Sequence, residues 1–262
     1  MIKLFTAAIL TLFVSKISAQ KNDDVFYVFK QDWSTAADMK EATYFMHVTN
    51  ENDSTYYCRY YQKLGPMVKQ DCYKDAGLSI PNGRFAWYNA TGRIDSTGYV
   101  FAGKKDGIWY RYYDSAKAQM AIYYEDGKRI KAIDYRNKKE YYPDGTEKVW
   151  QDDGDLVFKS HSGVEPKYPG GPQAWAKFLT GNLRMPDRLM DISTDSSFVD
   201  NVSFLINEDG EPTDMFLQKS CEYTADAEVF RLITKGGNWI PATINGNKVI
   251  YRQTQSITFS YK

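Results

Sequence analysis

Three cysteines and two histidines are the side chains of this sequence best suited to redox or metal chemistry. Cys58 and Cys72 stand at equal distances from Gly65 in the segment KLGPM. If residues 64–66 form a turn, the two sulfurs face each other on adjacent strands, and a disulfide there would close a loop of about 15 residues and contribute roughly 3 kcal/mol. The sequence predicts this Cys58–Cys72 disulfide. The alternative is two half-buried free thiols, because a register shift of one residue would separate the sulfurs.

The remaining reactive residues do not form a recognisable catalytic or metal-binding pattern. Cys221 is left single, and His47 and His161 are far apart with no CxxC motif, so a zinc site is not expected. The sequence has no GxSxG, no HExxH and no phosphate-cradling glycine loop. Asp152 and Asp153 lie in a polar stretch and are expected to be solvated. We therefore predict no enzyme activity and no cofactor, with a hydrolase acting on the β-rich region as the least favoured alternative.

Composition and charge limit the classes of partner. The chain has 262 residues, 43% of them apolar and 25% charged, which is typical of a globular protein. Its 33 basic and 33 acidic side chains cancel, so no electrostatic field favours nucleic acid or an anionic membrane surface. The 21 tyrosines favour half-buried strands over helix bundles. We therefore expect a mostly β protein that does not bind nucleic acid.

The first nineteen residues are typical of a secretory signal peptide. Lys3 precedes an apolar run over residues 4–14, and the small-residue segment KISAQ predicts cleavage after Ala19. The alternative is an uncleaved inner-membrane anchor, but a helix over this run would span roughly 16 Å, about half of a bilayer core. The sequence therefore predicts an exported protein of the periplasm or cell envelope.

Residues 23–160 have the sequence pattern of short strands joined by tight turns. Aromatic segments such as AWYNATG, IWYRYYD and YYEDG recur, and Asp126-Gly127 and Asp144-Gly145 are hairpin signals between them. This pattern predicts an antiparallel β-meander, with a helical start only in the stretch TAADMKEATYFMHV. Residues 82–148 resemble the MORN-like repeats of bacterial proteins, in outline G-x-W-x-x-Y-Y-x-x-G. A solvent-exposed scaffold with aromatic ladders is at least as well supported for this region as a ligand-binding role.

Residues 164–262 predict the element order helix, strand, strand, helix, strand. Gly170 and Gly171 allow a sharp bend before Pro172, which suits the first turn of a helix. Two strands then flank the predicted turn Asp209-Gly210, and a second helix follows, with Thr224 as the expected N-cap and Gly236 as its end. Trp175 and Trp239 are expected to pack in the core, and a long strand closes the chain.

This order of elements, together with the glycine and proline motifs between them, resembles the C-terminal domain of TonB energy transducers, in the form common in Bacteroidetes. The resemblance covers residues 165–261 and implies two helices on a three-stranded antiparallel sheet. Two departures are Met185-Pro186, where the family has Tyr-Pro, and Ala227-Glu228, where it usually has Glu-Ala. The counterparts of the family motifs include Asn182-Leu183 and the structural positions Tyr168, Pro169, Gly170, Gly171, Asp209, Gly210, Trp239 and Pro241.

Domains of this family recognise an extended segment of an outer-membrane transporter by pairing it with an edge of their sheet. The resemblance thus implies a protein partner such as a TonB-dependent outer-membrane receptor, although the final strand could equally pair with a second copy of the chain. A transducer needs an anchor and an extended linker, so we favour an exported binding protein and keep the anchored transducer as the alternative. The expected partner-binding residues are Tyr251, Arg252, Gln253 and Thr254, with Leu183, Arg184, Met185, Pro186, Asp187 and Arg188 beside them.

Overall fold

The computed structural model describes residues 25–52, 54–113, 117–150, 163–192 and 197–261. The predicted signal peptide, the acids Asp152 and Asp153, and His161 lie outside the described residues. Most of the described chain is β-strand, as the tyrosine-rich composition predicts. No helix among the described residues is long and apolar enough to cross a membrane.

The first part of the chain forms one antiparallel sheet of eleven strands, in which each strand pairs with its neighbours in sequence. The β-meander prediction is therefore confirmed. We refer to it as the meander sheet. Its strands are β1 Val25–Phe29, β2 Tyr44–Asn52, β3 Thr55–Gln62, β4 Met67–Tyr73, β5 Gly83–Tyr88, β6 Ile94–Phe101, β7 Lys104–Tyr112, β8 Ala118–Glu125, β9 Lys128–Asp134, β10 Lys139–Tyr141 and β11 Glu147–Val149.

Tight turns and close glycine contacts shape this sheet. Asp126 and Gly127 both have positive φ, 47° and 82°, as a two-residue hairpin between β8 and β9 requires. Gly98 in β6 lies directly beneath the indole of Trp109 in β7, and a Cβ at position 98 would stand 2.3 Å from a ring carbon. The Trp109 Nε1 donates to the carbonyl of Tyr99 at 2.9 Å. Gly98 and Trp109 therefore pack as a pair on adjacent strands.

The expected helical start at residues 35–48 is not present. Residues 35–43 form turns, and Tyr44 already begins β2. The Asp38 carboxylate accepts from the amides of Lys40 and Glu41 at 2.8 and 3.2 Å, which is the local bonding that competes with a helix. The following residues Phe45, Met46, His47 and Val48 are all buried, so both faces of this strand are covered.

The second part of the chain contains the expected order of two longer helices and three paired strands. Its strands lie in the order β13-β12-β16, with all pairs antiparallel. The prediction missed the short helix α2 and a small hairpin of β14 and β15, which separates the start of the expected closing strand from β16. The elements are α1 Gly171–Asn182, α2 Leu189–Ile192, β12 Ser197–Ile206, β13 Pro212–Lys219, α3 Tyr223–Lys235, β14 Ala242–Ile244, β15 Asn247–Val249 and β16 Tyr251–Ser260.

The N-cap of α3 differs from the prediction, while its end agrees. Glu222, and not Thr224, precedes the first turn, and its carboxylate accepts from the Thr224 amide at 2.7 Å. Gly236 follows the last helical residue as expected. A carboxylate at this position also suits the partial positive charge of a helix N-terminus.

One hydrophobic core spans the meander sheet and the second part of the chain. Buried residues of α3 such as Val229 and Leu232 and of β12 such as Phe204 belong to the same cluster as Phe45 and Tyr61 of the meander sheet. Backbone contacts continue this packing: the Met67 amide donates to Ser220 Oγ at 2.8 Å. The two parts therefore share an interface; the boundary between residues 160 and 164 remains a prediction.

Candidate functional site

Strand β16 forms one edge of the three-stranded sheet. All ten of its residues pair with β12, from Ser260 opposite Ser197 to Tyr251 opposite Ile206, without a shift in register. Within the described ranges, no strand pairs with the outer edge of β16. Because a straight unpaired edge can accept another strand, this is the feature that best fits the predicted strand-pairing site.

The opposite edge strand, β13, is held against the meander sheet at both of its ends. Lys219 forms an isolated antiparallel bridge with Arg93, and the Ser220 amide donates to the Gly92 carbonyl at 2.9 Å. At the other end, Asp214 binds Arg84 of β5. The meander sheet therefore covers the β13 side and leaves the β16 side as the accessible edge of the described structure.

The predicted partner-binding residues of β16 have different surroundings. Arg252 is engaged within the protein, because its guanidinium binds the Asp214 carboxylate and donates to the Asp214 carbonyl at 2.9 Å. Gln253 is half-buried and Thr254 is exposed. The side chains of Arg252 and Thr254 lie on the sheet face opposite the helices, because their register partners Leu205 and Ser203 do. A partner at this edge would therefore meet backbone groups and Thr254 before Arg252.

The predicted segment 183–188 lies elsewhere, against α3. The Arg184 amide donates to Glu228 at 2.7 Å, and Arg188 binds Glu222 at 2.6 Å and the Lys63 carbonyl at 2.8 Å. Its contact near β16 joins the Pro186 carbonyl to the Tyr261 hydroxyl, beyond the end of the strand. At about 3.3 Å per residue, this is roughly 30 Å from the Tyr251 end.

Segment 183–188 is therefore hydrogen-bonded to the closing segment at Tyr261, and its place in the partner site stays a prediction. Sequence reasoning could not place the segment, because its position depends on a hydrogen bond to Glu228 and an ion pair with Glu222, 44 and 34 positions away. Within the segment, Arg184, Met185 and Asp187 remain exposed, while Pro186 is buried. The two groups could serve one partner only if that partner followed most of the length of β16.

The residues predicted as structural motifs meet around Trp239. The indole of Trp239 is 5% exposed and lies 5.4 Å from the ring of Trp175 and 5.6 Å from Tyr168, measured between centroids. Gly210 has φ of 86°, and its carbonyl accepts from the Trp239 amide at 2.8 Å. A Cβ at Gly210 would stand 2.0 Å from the Trp239 carbonyl oxygen. The expectation that both tryptophans pack in the core is confirmed.

Other motif positions shape the approach to this cluster. Gly170 has φ of 82° and precedes α1, with Pro172 in the first turn, as the bend before the helix requires. The Gly171 amide donates to the Tyr168 carbonyl at 2.8 Å across Pro169. Asp209 is part of the turn between β12 and β13, and its carbonyl accepts from Asn238. Pro241 follows directly after the Ile240 backbone, which pairs with Lys167.

The predicted Cys58–Cys72 disulfide is not formed, and both cysteines are free and buried. The turn is centred on Leu64, since the Gln62 amide pairs with the Pro66 carbonyl, and this register alone would place Gln70 opposite Cys58. A bulge at Tyr60 and Tyr61 then moves the partner of Cys58 by one residue. Cys58 therefore faces Asp71, and Cys72 faces Tyr57. The two sulfurs pack in separate hydrophobic clusters. Because side chains alternate between faces, one residue of register is enough to separate them.

An ion-pair network that the sequence did not reveal joins β5 to β13. The Arg84 guanidinium is 7% exposed and lies between the rings of Tyr99 and Phe216, 4.4 and 4.5 Å from their centroids. Its Nε donates to Asp214 Oδ1 at 2.7 Å, and the same carboxylate binds Arg252. The hydrogen bond from Arg84, together with the nearby positive charges, lowers the pKa of Asp214. Asp214 is therefore ionised at neutral pH.

Two buried acids form a second unpredicted cluster. Asp200 of β12 and Asp226 of α3 are both fully buried, and Ser220 Oγ donates to Asp226 at 2.7 Å. Burial raises the pKa of Asp200 to about 6, and burial with the neighbouring acid raises the pKa of Asp226 well above its usual range. Two buried charges without solvent would repel, so Asp226, whose pKa is raised well above its usual range, is neutral at neutral pH.

Two cavities lie where the meander sheet meets the second part of the chain. The larger, about 570 Å³, is lined at one side by exposed polar residues of β2 and α3, including Glu51 and Lys235, and contains Arg59 between the rings of Tyr57 and Phe230. The smaller, about 390 Å³, lies between the faces of the two sheets. Asp200 and Asp226 line neither cavity. The described residues contain no group of three or more His, Cys, Asp or Glu side chains that could hold a metal ion.

Comparison with known proteins gave no relative against which to test these features. Protein-family models, curated proteins and solved structures were compared with the chain, and none matches it.

Proposed function

We propose that this chain is an exported binding protein that pairs the outer edge of β16 with an extended segment of a protein partner. The observation that carries the proposal is the asymmetry of the three-stranded sheet: β13 is held against the meander sheet, whereas in the described structure β16 has a strand on one side only. In such pairing, backbone groups of the edge supply affinity and neighbouring side-chain sites supply selectivity.

The sequence of β16 from Gln253 onward supports this function because that stretch lacks the devices that protect sheet edges. Natural edge strands are commonly interrupted by proline, bulges or inward-pointing charges. From Gln253 to Ser260 the strand carries glutamine, threonine and serine with Ile257 and Phe259 buried, and its register with β12 is unbroken. A polar, straight edge of this kind is suited to reversible pairing.

The class of partner follows from the sequence resemblance. Similarity to TonB C-terminal domains supports a periplasm-facing segment of an outer-membrane transporter as the partner, and the predicted signal peptide supports the same compartment. In this proposal the chain acts by binding and not by catalysis. Cys58, Cys72 and the Asp200–Asp226 pair are buried, and none of them lines either cavity.

The proposal is tested by hydrogen exchange of the full chain with a panel of peptides from periplasm-facing segments of outer-membrane transporters. Backbone groups of successive residues in a paired strand point to alternate sides. Binding by strand addition therefore slows exchange at every second amide between residues 252 and 260, and leaves β13 unchanged. Uniform protection, protection of β13, or no binding by the panel would contradict the proposal.

A proline variant gives the matched control. Exchange in the free protein shows which alternate amides of β16 point outward, and this decides between Ser256→Pro and Gln253→Pro, which remove one outward N–H without removing a bond to β12. The corresponding alanine variant keeps the N–H and should bind as the unmodified chain does. Concentration-dependent dimerisation that the proline variant abolishes would instead identify a second copy of the chain as the occupant of this edge.

A further inference from the structure

The smaller cavity lies between the meander sheet and the face of the three-stranded sheet that the helices do not cover. Its volume of about 390 Å³ falls within the range of about 300 to 1,000 Å³ that is typical of small-molecule sites. The meander sheet lines it with Arg84, Thr97, Tyr99, Ile108, Tyr110 and Tyr112. The opposite wall consists of Ser203, Phe216, Gln218 and Arg252.

The charges at this cavity do not balance. Arg84 and Arg252 both bind the single carboxylate of Asp214, which leaves one positive charge uncompensated. Arg84 is fully engaged, because it also donates to Thr97 Oγ1 at 3.2 Å and is stacked between two rings. Arg252 is less buried, with 34% of its side chain exposed, and its described bonds leave N–H groups available. The acid Asp106, the register partner of Tyr99, is exposed and does not line the cavity.

A buried hydroxyl also lacks a partner here. Ser203 is fully buried, and its Oγ has no hydrogen-bond partner in the part of the chain that the structure describes. Its side chain lies on the cavity side of β12, opposite Phe216 of β13 in the register. Buried hydroxyl groups are normally hydrogen-bonded, so an unpaired one in a cavity wall indicates a ligand or water position.

The rest of the wall is mainly aromatic. Tyr110 and Phe216 present ring surfaces, and Tyr112 is 9% exposed. Burial raises the pKa of Tyr110 and Tyr112, so both phenols are neutral at physiological pH and add no negative charge. The cavity thus combines an excess positive charge, a free hydroxyl and apolar walls.

We propose that this cavity binds a carboxylate carried on an aromatic body. The carboxylate accepts hydrogen bonds from Arg252 and Ser203, while the aromatic body packs against Tyr110 and Phe216. Such a group occurs on small aromatic acids and at the C-terminus of a chain that ends in an aromatic residue. This site does not depend on strand pairing at β16, because its ligand contacts are side chains on the sheet face.

Four probes separate these sources by nuclear magnetic resonance titration of the full chain: phenylacetate, phenylacetamide, and the peptide acetyl-Ala-Phe with a free or an amidated C-terminus. We expect phenylacetate to shift the amide signals of Ser203, Phe216 and Arg252, and phenylacetamide to bind at least about tenfold more weakly because it has no charge to pair with Arg252. Binding of the free peptide acid alone would identify a chain terminus as the source. Equal binding of acids and amides, or no binding of either acid at millimolar concentration, would overturn the proposal.

Variants locate the ligand. Arg252→Gln and Ser203→Ala should each weaken phenylacetate binding, the first by about tenfold and the second by several-fold, since a bond to a charged group is the stronger of the two. Arg136→Gln, in an exposed turn between β9 and β10, is the matched control and should not change the affinity. If Arg252→Gln fails to fold, Ser203→Ala decides the question, and unchanged affinity in a folded variant would overturn the proposal.

Discussion

The Arg84 Nε donates to Asp214 Oδ1 at 2.7 Å and thereby joins strand β5 of the meander sheet to strand β13, 130 residues later in the chain. The carboxylate serves a second guanidinium, that of Arg252. Both partners of the first contact are largely buried, with 7% and 12% of their side chains exposed. A buried charge is costly once its partner is removed. This contact therefore stabilises the interface between the meander sheet and the second part of the chain.

Replacing Asp214 should destabilise the protein more than replacing Arg84. Asp214→Asn leaves two guanidiniums without a carboxylate and should lower the free energy of unfolding by about 3 to 5 kcal/mol. Arg84→Met leaves Asp214 paired with Arg252 and should cost less. Asparagine tolerates the positive φ of 48° at position 214, so the effect is electrostatic and not backbone strain. Urea unfolding measures both variants.

The control for this prediction is the exposed pair of Lys104 and Asp126. Its atoms are 2.6 Å apart, but both side chains are more than half exposed. Lys104→Gln should change the stability by less than about 1 kcal/mol. A loss for Asp214→Asn no larger than that of Lys104→Gln would show that the buried network does not stabilise the fold.

Gly98→Ala should destabilise the meander sheet. The new Cβ would stand 2.3 Å from the Trp109 indole, so the ring must move and the bond from its Nε1 to the Tyr99 carbonyl must change. Overpacking of this kind costs about 1 to 3 kcal/mol. Thermal unfolding, monitored by tryptophan fluorescence, measures this loss of stability.

Gly181→Ala provides the opposite case in the same experiment. Gly181 lies near the end of α1 with no atom within 4 Å of an added Cβ, and its φ is not positive. Alanine there should raise the stability by up to about 1 kcal/mol. If both alanine variants lower the stability equally, the Gly98 contact with Trp109 is not the cause.

The cysteines should remain unreactive until the protein unfolds. Burial is the main cause that raises the pKa of Cys58 to about 12 and of Cys72 to about 11, so neither is a thiolate at neutral pH. Reaction with Ellman's reagent should therefore be slow in the folded protein and should consume all three thiols in denaturant. A chain that resists alkylation after unfolding without reductant, and has a mass about two units lower than the reduced form, would demonstrate a disulfide.

Removing the buried acid pair should change how stability depends on pH. The pKa of Asp200 is raised to about 6 and that of Asp226 is raised further above its usual range. The folded protein then binds a proton more tightly than the unfolded chain, so the contribution of the pair to stability rises as the pH falls from 8 to 5. Asp226→Asn removes the contribution of Asp226 to this dependence and should stabilise the protein at pH 8 by about 1 to 3 kcal/mol.

The difference between Asp226→Asn and the unmodified protein should therefore be larger at pH 8 than at pH 5. Glu208→Gln, which removes an exposed acid in the turn before β13, should show no such change between the two pH values. Denaturant unfolding at both pH values measures the effect. A constant difference would mean that Asp226 is ionised in the folded protein throughout this range, as it is in the unfolded chain.

Local features of the sequence predicted most of the strands and helices. The Asp126-Gly127 turn requires two residues that tolerate positive φ, and the chain supplies them at that point. The bend at Gly170 and Gly171, the end of α3 at Gly236 and the alternation of Val202, Phe204 and Ile206 are similarly local, and the structure contains all of them. The periodicity of a helix or strand depends on residues close together in the sequence, so it can be recognised without knowing the distant contacts.

The sequence alone therefore determined the β-meander and the order of elements in the second part, whereas only the tertiary structure decided which residues meet. Cys58 and Cys72 are separated by a bulge of one residue, which no composition rule reveals. Segment 183–188 lies against α3 through the Arg188–Glu222 ion pair and a backbone bond to Glu228, and Arg84 reaches Asp214 across 130 residues. Register and long-range pairing depend on the packing of two sheets around one core, and that packing selects among partners that the sequence leaves equivalent.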